Sequence, residues 1–129
     1  MILGIGDTSL KTGDKAVGGG ILFLTNSSMT RAPPIYWKVK QIDRVCHSSK
    51  DAETLNLLTM VEDSVYAANQ LEQMLYGDIL RRIPIHLFTD SKSTLESIAS
   101  SKQIVTKTLR TVIMDLKERL LSGKITSIA

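Results

Sequence analysis

Scarcity narrows the reading of this chain before any motif does. Cys46 is its one cysteine, so an internal disulfide framework is excluded and a reducing compartment suits the chain. In this setting Cys46 reads as an inert, partly buried thiol. The two histidines, His47 and His86, have no Cys/His spacing of a zinc site. His86 falls inside a strand pattern as a core or interface histidine, and His47 in a loop. No apolar run is long enough to span a bilayer, and no signal-peptide pattern follows Met1, so no membrane partner is expected. A Gly-rich phosphate loop is missing as well, because the glycines at 18–20 lead into a strand pattern and not a helix. Repeats and low-complexity segments are absent. Neither sign of charge dominates: 16 Lys and Arg stand against 13 Asp and Glu, for a net charge of +3. That balance permits a polyanionic partner without demanding one.

What is present is ordinary globular composition. Over 129 residues, 43% hydrophobic and 22% charged usage predicts one domain with a real core and excludes disorder. The longest helical pattern covers 48–77. Ala52, Leu55, Leu58, Val61, Val65, Ala68, Leu71 and Leu75 recur there at three- and four-residue spacing, which draws an apolar stripe along a helix. Leu57, Met60, Ala67 and Met74 widen it, and Gly77 is placed to end it. Strands are expected at 2–10, 20–24, 35–42, 83–89 and from 124 onward, and shorter helices follow Asp90 and cover 106–121. Ser93 and Glu96 fit a capping box, with Leu95, Ile98 and Ala99 facing inward. The second strand is apolar throughout, which suggests burial on both faces. The third alternates Trp37 and Val39 with Lys38 and Lys40, and Trp37 reads as a packing residue. Three leading strands followed by alternating helices and strands predict an α/β fold: a mixed five-stranded sheet, opening with an antiparallel meander, with helices packed on it.

Three carboxylates hold special places in this layout. Asp7 closes the first strand, Glu53 lies in the first turn of the long helix, and Asp90 closes the fourth strand. If those two strands are neighbours, the acids meet at one sheet edge, where their mutual repulsion calls for a cation. Mg²⁺ takes such hard oxygen ligands. Each acid also has a plain structural reading, as a cap or a partner of the helix dipole. Asp51 is the better capping candidate, since it stands about 200° around the helix from Glu53.

The local sequences GDTSLKT…GGGILFL, YWKV…VCHSSKDAETLNL and PIHLFTDSKSTLESI resemble the ribonuclease H domain of copia-type retrotransposon polyproteins. The last segment, VTKTLRTVIMDLKERLLSGKITSIA, looks like that family's last helix and fifth strand, so the resemblance spans the chain. It implies a ribonuclease H-like fold and a metal-dependent endonuclease that hydrolyses the RNA strand of RNA–DNA hybrids during reverse transcription. Asp7, Glu53 and Asp90 match the first three catalytic, metal-binding carboxylates, with two Mg²⁺ expected and Mn²⁺ as the substitute. Trp37 matches the tryptophan of the third strand. The implied partners are the hybrid and the reverse transcriptase domain of the same polyprotein, and the implied location is intracellular, in a cytoplasmic virus-like particle. Thr8, Ser9, Ser91 and Lys92 are candidate substrate contacts, and Lys102 and Lys107 a possible basic approach to phosphate.

Two departures stand out. Thr8 follows the first acid where the family more often has Ala. The family also carries a fourth acidic residue or a histidine on a final helix, and no such residue follows the fifth strand here. The expectation is therefore a fragment lacking its final helix, with its second metal poorly held. Two alternatives stay open: a catalytically inactive tether within a reverse transcriptase, and a DNA-acting integrase or resolvase of the same fold. The latter places an acid on a late helix, where Asp115 and Glu118 lack a convincing context.

Overall fold

The computed structural model describes residues 1–9, 16–26, 28, 30–42, 46, 48–80, 83–100 and 107–129, with the side chains of 107 and 108 set aside. His47 and Lys102 fall outside these residues, as does the side chain of Lys107. The elements run β1 (Ile2–Ser9), β2 (Val17–Leu24), β3 (Pro34–Gln41), α1 (Ser49–Tyr76), β4 (Ile85–Phe88), α2 (Lys92–Ala99), α3 (Lys107–Leu121) and β5 (Ser127–Ile128). They form one five-stranded sheet in the order β3-β2-β1-β4-β5. β1 pairs antiparallel with β2, and β2 with β3, as the meander requires. β4 and β5 join in parallel. The expected mixed sheet is observed, and β1 and β4 are neighbours. No helix among the described residues is long and apolar enough to cross a membrane.

The helices gather on one face of the sheet. Ile2, Leu22, Ile85 and Leu87 from the strands meet Leu57, Met60 and Val61 of α1 and Val112, Ile113 and Leu116 of α3 in a single buried cluster. Alternation along β2 sends Gly18, Gly20 and Leu22 toward α1. A Cβ on Gly20 would stand 1.8 Å from the Met60 sulfur, and one on Gly18 would stand 2.5 Å from Asn56 Oδ1. The glycine run therefore lets α1 lie close to the sheet, and it belongs to β2 instead of a loop.

Several local expectations are corrected. Ser48 caps α1, its hydroxyl accepting from the Asp51 N–H at 3.2 Å. Asp51 thus adds charge near the N-terminus and is not the cap. Gly77 ends the helix in the left-handed conformation, with its N–H donating to the Gln73 carbonyl. The buried face of α1 is rotated from the predicted stripe and includes Thr54, Asn56, Ser64 and Glu72, while Met74 and Leu75 are exposed. In α2 the cap is Ser91 and not Ser93, and the buried positions are Thr94 and Ser97, with Ala99 exposed. Cys46 is buried, and its thiol is pushed up by that burial and by the Asp51 charge. His86 is satisfied as expected, its Nδ1 lying 2.7 Å from Ser127 Oγ on β5.

The other face of the sheet is open. Phe88, Ile5, Ile21 and Trp37 are direct neighbours across β4, β1, β2 and β3, and all four are exposed, Trp37 by 71%. Alternation in β3 holds, but the faces are inverted: Lys38 turns toward α1, 3.9 Å from Asp63, while Trp37 and Val39 point outward. β2 is covered on one face only.

Candidate metal centre

The β1–β4 ladder ends at the pair Ile5↔Phe88. Asp7 and Asp90 each lie two residues farther on, and because the strands are parallel both emerge at the same end of the sheet. Glu53, the fifth residue of α1 and so just past its first turn, reaches the same place from the overlying helix. One carboxylate oxygen from each residue lies within 4.8 Å of the others. Among the described residues this is the one group of three or more His, Cys, Asp or Glu side chains so gathered.

Thr8 ties two of the acids together. Its hydroxyl donates to Glu53 Oε1 at 2.5 Å, and its backbone N–H donates to Asp7 Oδ1 at 2.8 Å. The hydroxyl therefore has Glu53 as its partner. Ser91 is likewise occupied as the α2 cap, accepting from the Thr94 N–H at 3.3 Å. Ser9 and Lys92 are exposed, at the end of β1 and the start of α2.

Asn56, one turn beyond Glu53, was not anticipated. Its Nδ2 donates to the carbonyls of Gly19 at 3.0 Å and Asp7 at 3.3 Å, clamping the ends of β1 and β2 to the helix that carries Glu53. Thr54 and Thr94 form a second unforeseen link, with their hydroxyl oxygens 3.1 Å apart. The available signal was a polar residue on the buried side of an apolar helix, which usually means a partner waits there.

Burial raises the Glu53 carboxyl above its ordinary range; the Thr8 hydrogen bond opposes this, and the charges of Asp90 and Asp7 add to the rise. A site that disfavours its own carboxylates in this way favours a cation. The donor set fits Mg²⁺ or Mn²⁺, being all hard oxygen. Oxygens on one such ion stand at most about 4 Å apart, so the observed spacing needs only a small side-chain adjustment to close on one ion, and it also suits a pair. A cleft of about 250 Å³ between β2, β3 and α1 does not contain the acids. They occupy the end of the two neighbouring strands β1 and β4.

No family model matches this sequence, and no curated protein does. Solved structures do match in shape. LC11-RNase H1, determined in complex with an RNA/DNA hybrid, is 12% identical with a TM-score of 0.65, and the match covers all of this chain and 82% of that one. The N-terminal RNase H domain of a Mycobacterium tuberculosis protein is 13% identical with a TM-score of 0.64, covering 98% and 77%. RNase H1 from Halobacterium salinarum is 14% identical with a TM-score of 0.56, covering 99% and 83%. The sheet order, the helices on one face and these neighbours together identify a ribonuclease H-like α/β fold.

Proposed function

We propose that the chain is a ribonuclease H domain of a copia-type retrotransposon polyprotein, cutting the RNA strand of RNA–DNA hybrids during reverse transcription. The convergence of Asp7, Glu53 and Asp90 from three elements carries this reading. Asp at a strand end or Glu near a helix start is common singly; meeting within 4.8 Å at one sheet edge has no structural purpose that offsets the repulsion. A pair of Mg²⁺ ions, or Mn²⁺ in their place, would supply an activated water and stabilise the charge on the leaving oxygen. The protein's own part is to hold the acids: Thr8 orients Glu53, Asn56 fixes the Asp7 backbone, and the α2 cap places Asp90. Ser9 and Lys92, exposed beside the acids in sequence, would meet the phosphate backbone, and recognition of RNA would rest on its 2′-OH. A fold neighbour determined with an RNA/DNA hybrid supports the substrate class.

Residues 1–129 form a single domain in this reading. The exposed row of Phe88, Ile5, Ile21 and Trp37 suits a covering partner, since exposed contiguous apolar patches mark interaction sites. The reverse transcriptase domain of the same polyprotein is the partner, within a cytoplasmic particle. The test is cleavage of a labelled hybrid with Mg²⁺ or Mn²⁺ by this chain, by a version extended through the next helix, and by Asp90→Asn. Cleavage by the extended protein that Asp90→Asn abolishes is the expected result. A folded, extended protein without activity refutes the nuclease and favours a tether.

A further inference from the structure

The β1–β4 ladder stops at Phe88, and on the β5 side the sheet holds the backbone as far as Thr89, whose N–H donates to the Ala129 carbonyl at 2.9 Å; α2 starts at Lys92, so the strand hydrogen bonds end just short of Asp90. Three carboxylates repelling one another would push the turn that carries Asp90 outward. Something must hold it against α1, and a chain of hydroxyls does. Thr54 follows Glu53 and Ser91 follows Asp90. Between them Thr54 Oγ1 lies 3.1 Å from Thr94 Oγ1, which lies 2.8 Å from Ser91 Oγ. Ser91 is held in turn, its N–H donating to Thr89 Oγ1 at 3.2 Å. Thr54 and Thr94 are completely buried.

We propose that the relay Thr54–Thr94–Ser91 sets the separation of Glu53 and Asp90, making Thr54 and Thr94 positioning residues of the metal site. The inference rests on reading the three acids as metal ligands. Core filling alone does not explain the hydroxyls, since replacing both partners of a buried hydrogen bond by apolar groups of the same shape is close to neutral for stability. What the hydroxyls add is direction and a fixed oxygen–oxygen spacing, whereas a Val–Val contact tolerates sliding. Mg²⁺ demands near-octahedral geometry at short distances, so tenths of an ångström at Asp90 alter binding.

The experiment titrates the metal-free protein with Mn²⁺ and reads the free ion by electron paramagnetic resonance, with thermal melting recorded alongside. Thr94→Val and Thr54→Val should each weaken Mn²⁺ binding by about 10- to 100-fold, the range for residues supporting metal ligands. Thr94→Ser, which keeps the hydroxyl, should stay within about threefold of wild type on that scale. Ser64→Ala is the control for simple destabilisation. Ser64 is also fully buried, but it donates to the Val61 carbonyl at 2.9 Å and has no link to the acids. It should melt lower and bind Mn²⁺ as wild type does. The double variant Thr54→Val/Thr94→Val should bind as weakly as either single one. Wild-type affinity in both valine variants, or an equal loss in Ser64→Ala, overturns the relay while leaving the metal reading intact. Failure of the wild type itself to take up Mn²⁺ overturns both. If Thr94→Val does not fold, Thr54→Val and Thr94→Ser still decide.

Discussion

The sharpest test of the acidic cluster is Glu53→Gln measured by calorimetry in metal-free buffer, because it should stabilise the protein it disarms. Glu53 sits with Asp7 and Asp90, the nearest oxygens within 4.8 Å. At that separation two unit charges repel by about 1 kcal/mol in a water-like dielectric, the setting for acids this open to solvent. Glutamine keeps the acceptor for Thr8 and removes two such pairs, so a gain of about 1–2 kcal/mol is expected at pH 7. For a chain of this size that is a rise in Tm of very roughly 3–10 °C. The gain disappears in acid. The Glu53 carboxyl is raised in the folded protein, so folding favours its protonated form. The stability this lends is present below the ordinary glutamate range and is lost as pH rises through the raised value. Wild type and variant should therefore converge near pH 4 and separate by pH 7. Divalent metal should close the gap from the other side: at 100 times its Kd an ion binding the native state adds about 2.7 kcal/mol, and the variant should gain far less than wild type. A variant that melts no higher than wild type in chelator at pH 7 refutes the repulsion argument. Equal stabilisation of both proteins by Mn²⁺ refutes Glu53 as a ligand.

Three other perturbations probe the frame around the site. Gly20→Ala forces a Cβ into the Met60 side chain and should cost about 1–3 kcal/mol by overpacking, read from the urea midpoint and partly relieved by Met60→Ala in the same chain. Asn56→Ala leaves the Asp7 and Gly19 carbonyls without this donor; about 1–3 kcal/mol should be lost, with hydrogen exchange rising at the ends of β1 and β2 before the core. Trp37→Ser, at a side chain turned to solvent, should change unfolding free energy by no more than about 0.5 kcal/mol, and a loss above about 2 kcal/mol would contradict its outward orientation.

The architecture was legible because periodicity reports it directly. The meander gave part of the strand order while the β1–β4 adjacency stood as a condition, and of the two ends of α1 Gly77 was read whereas Ser48, which carries the residue type a cap needs, was passed over for Asp51. The facing of β3 was not legible. Alternation says which residues share a face and is silent on which face is buried; hydrophobicity was the only guide, and it points the wrong way where an apolar face stands open. Lys38 turns inward because Asp63 on α1 receives it, a partner 25 positions away that no local pattern reveals.

The acids were legible for a different reason. Their gathering followed from places near element ends once β1 and β4 are neighbours, while the expectation that they hold metal came from the resemblance. Thr54 and Asn56, which bond to groups beside the acids, were missed because they resemble interruptions of an apolar stripe. Those interruptions were the clue. A helix that packs its core face with Leu57, Met60 and Val61 loses stability by placing Thr54 and Asn56 on the same side unless partners are waiting, and both find partners beside the clustered acids, Asn56 at the Asp7 carbonyl and Thr54 through Thr94 at Ser91, next to Asp90. Polar residues flanking an acid on the buried side of a helix therefore carry information that the acid alone lacks. An acid used only as a cap needs no such neighbours, whereas an acid that must meet two others at fixed distance does.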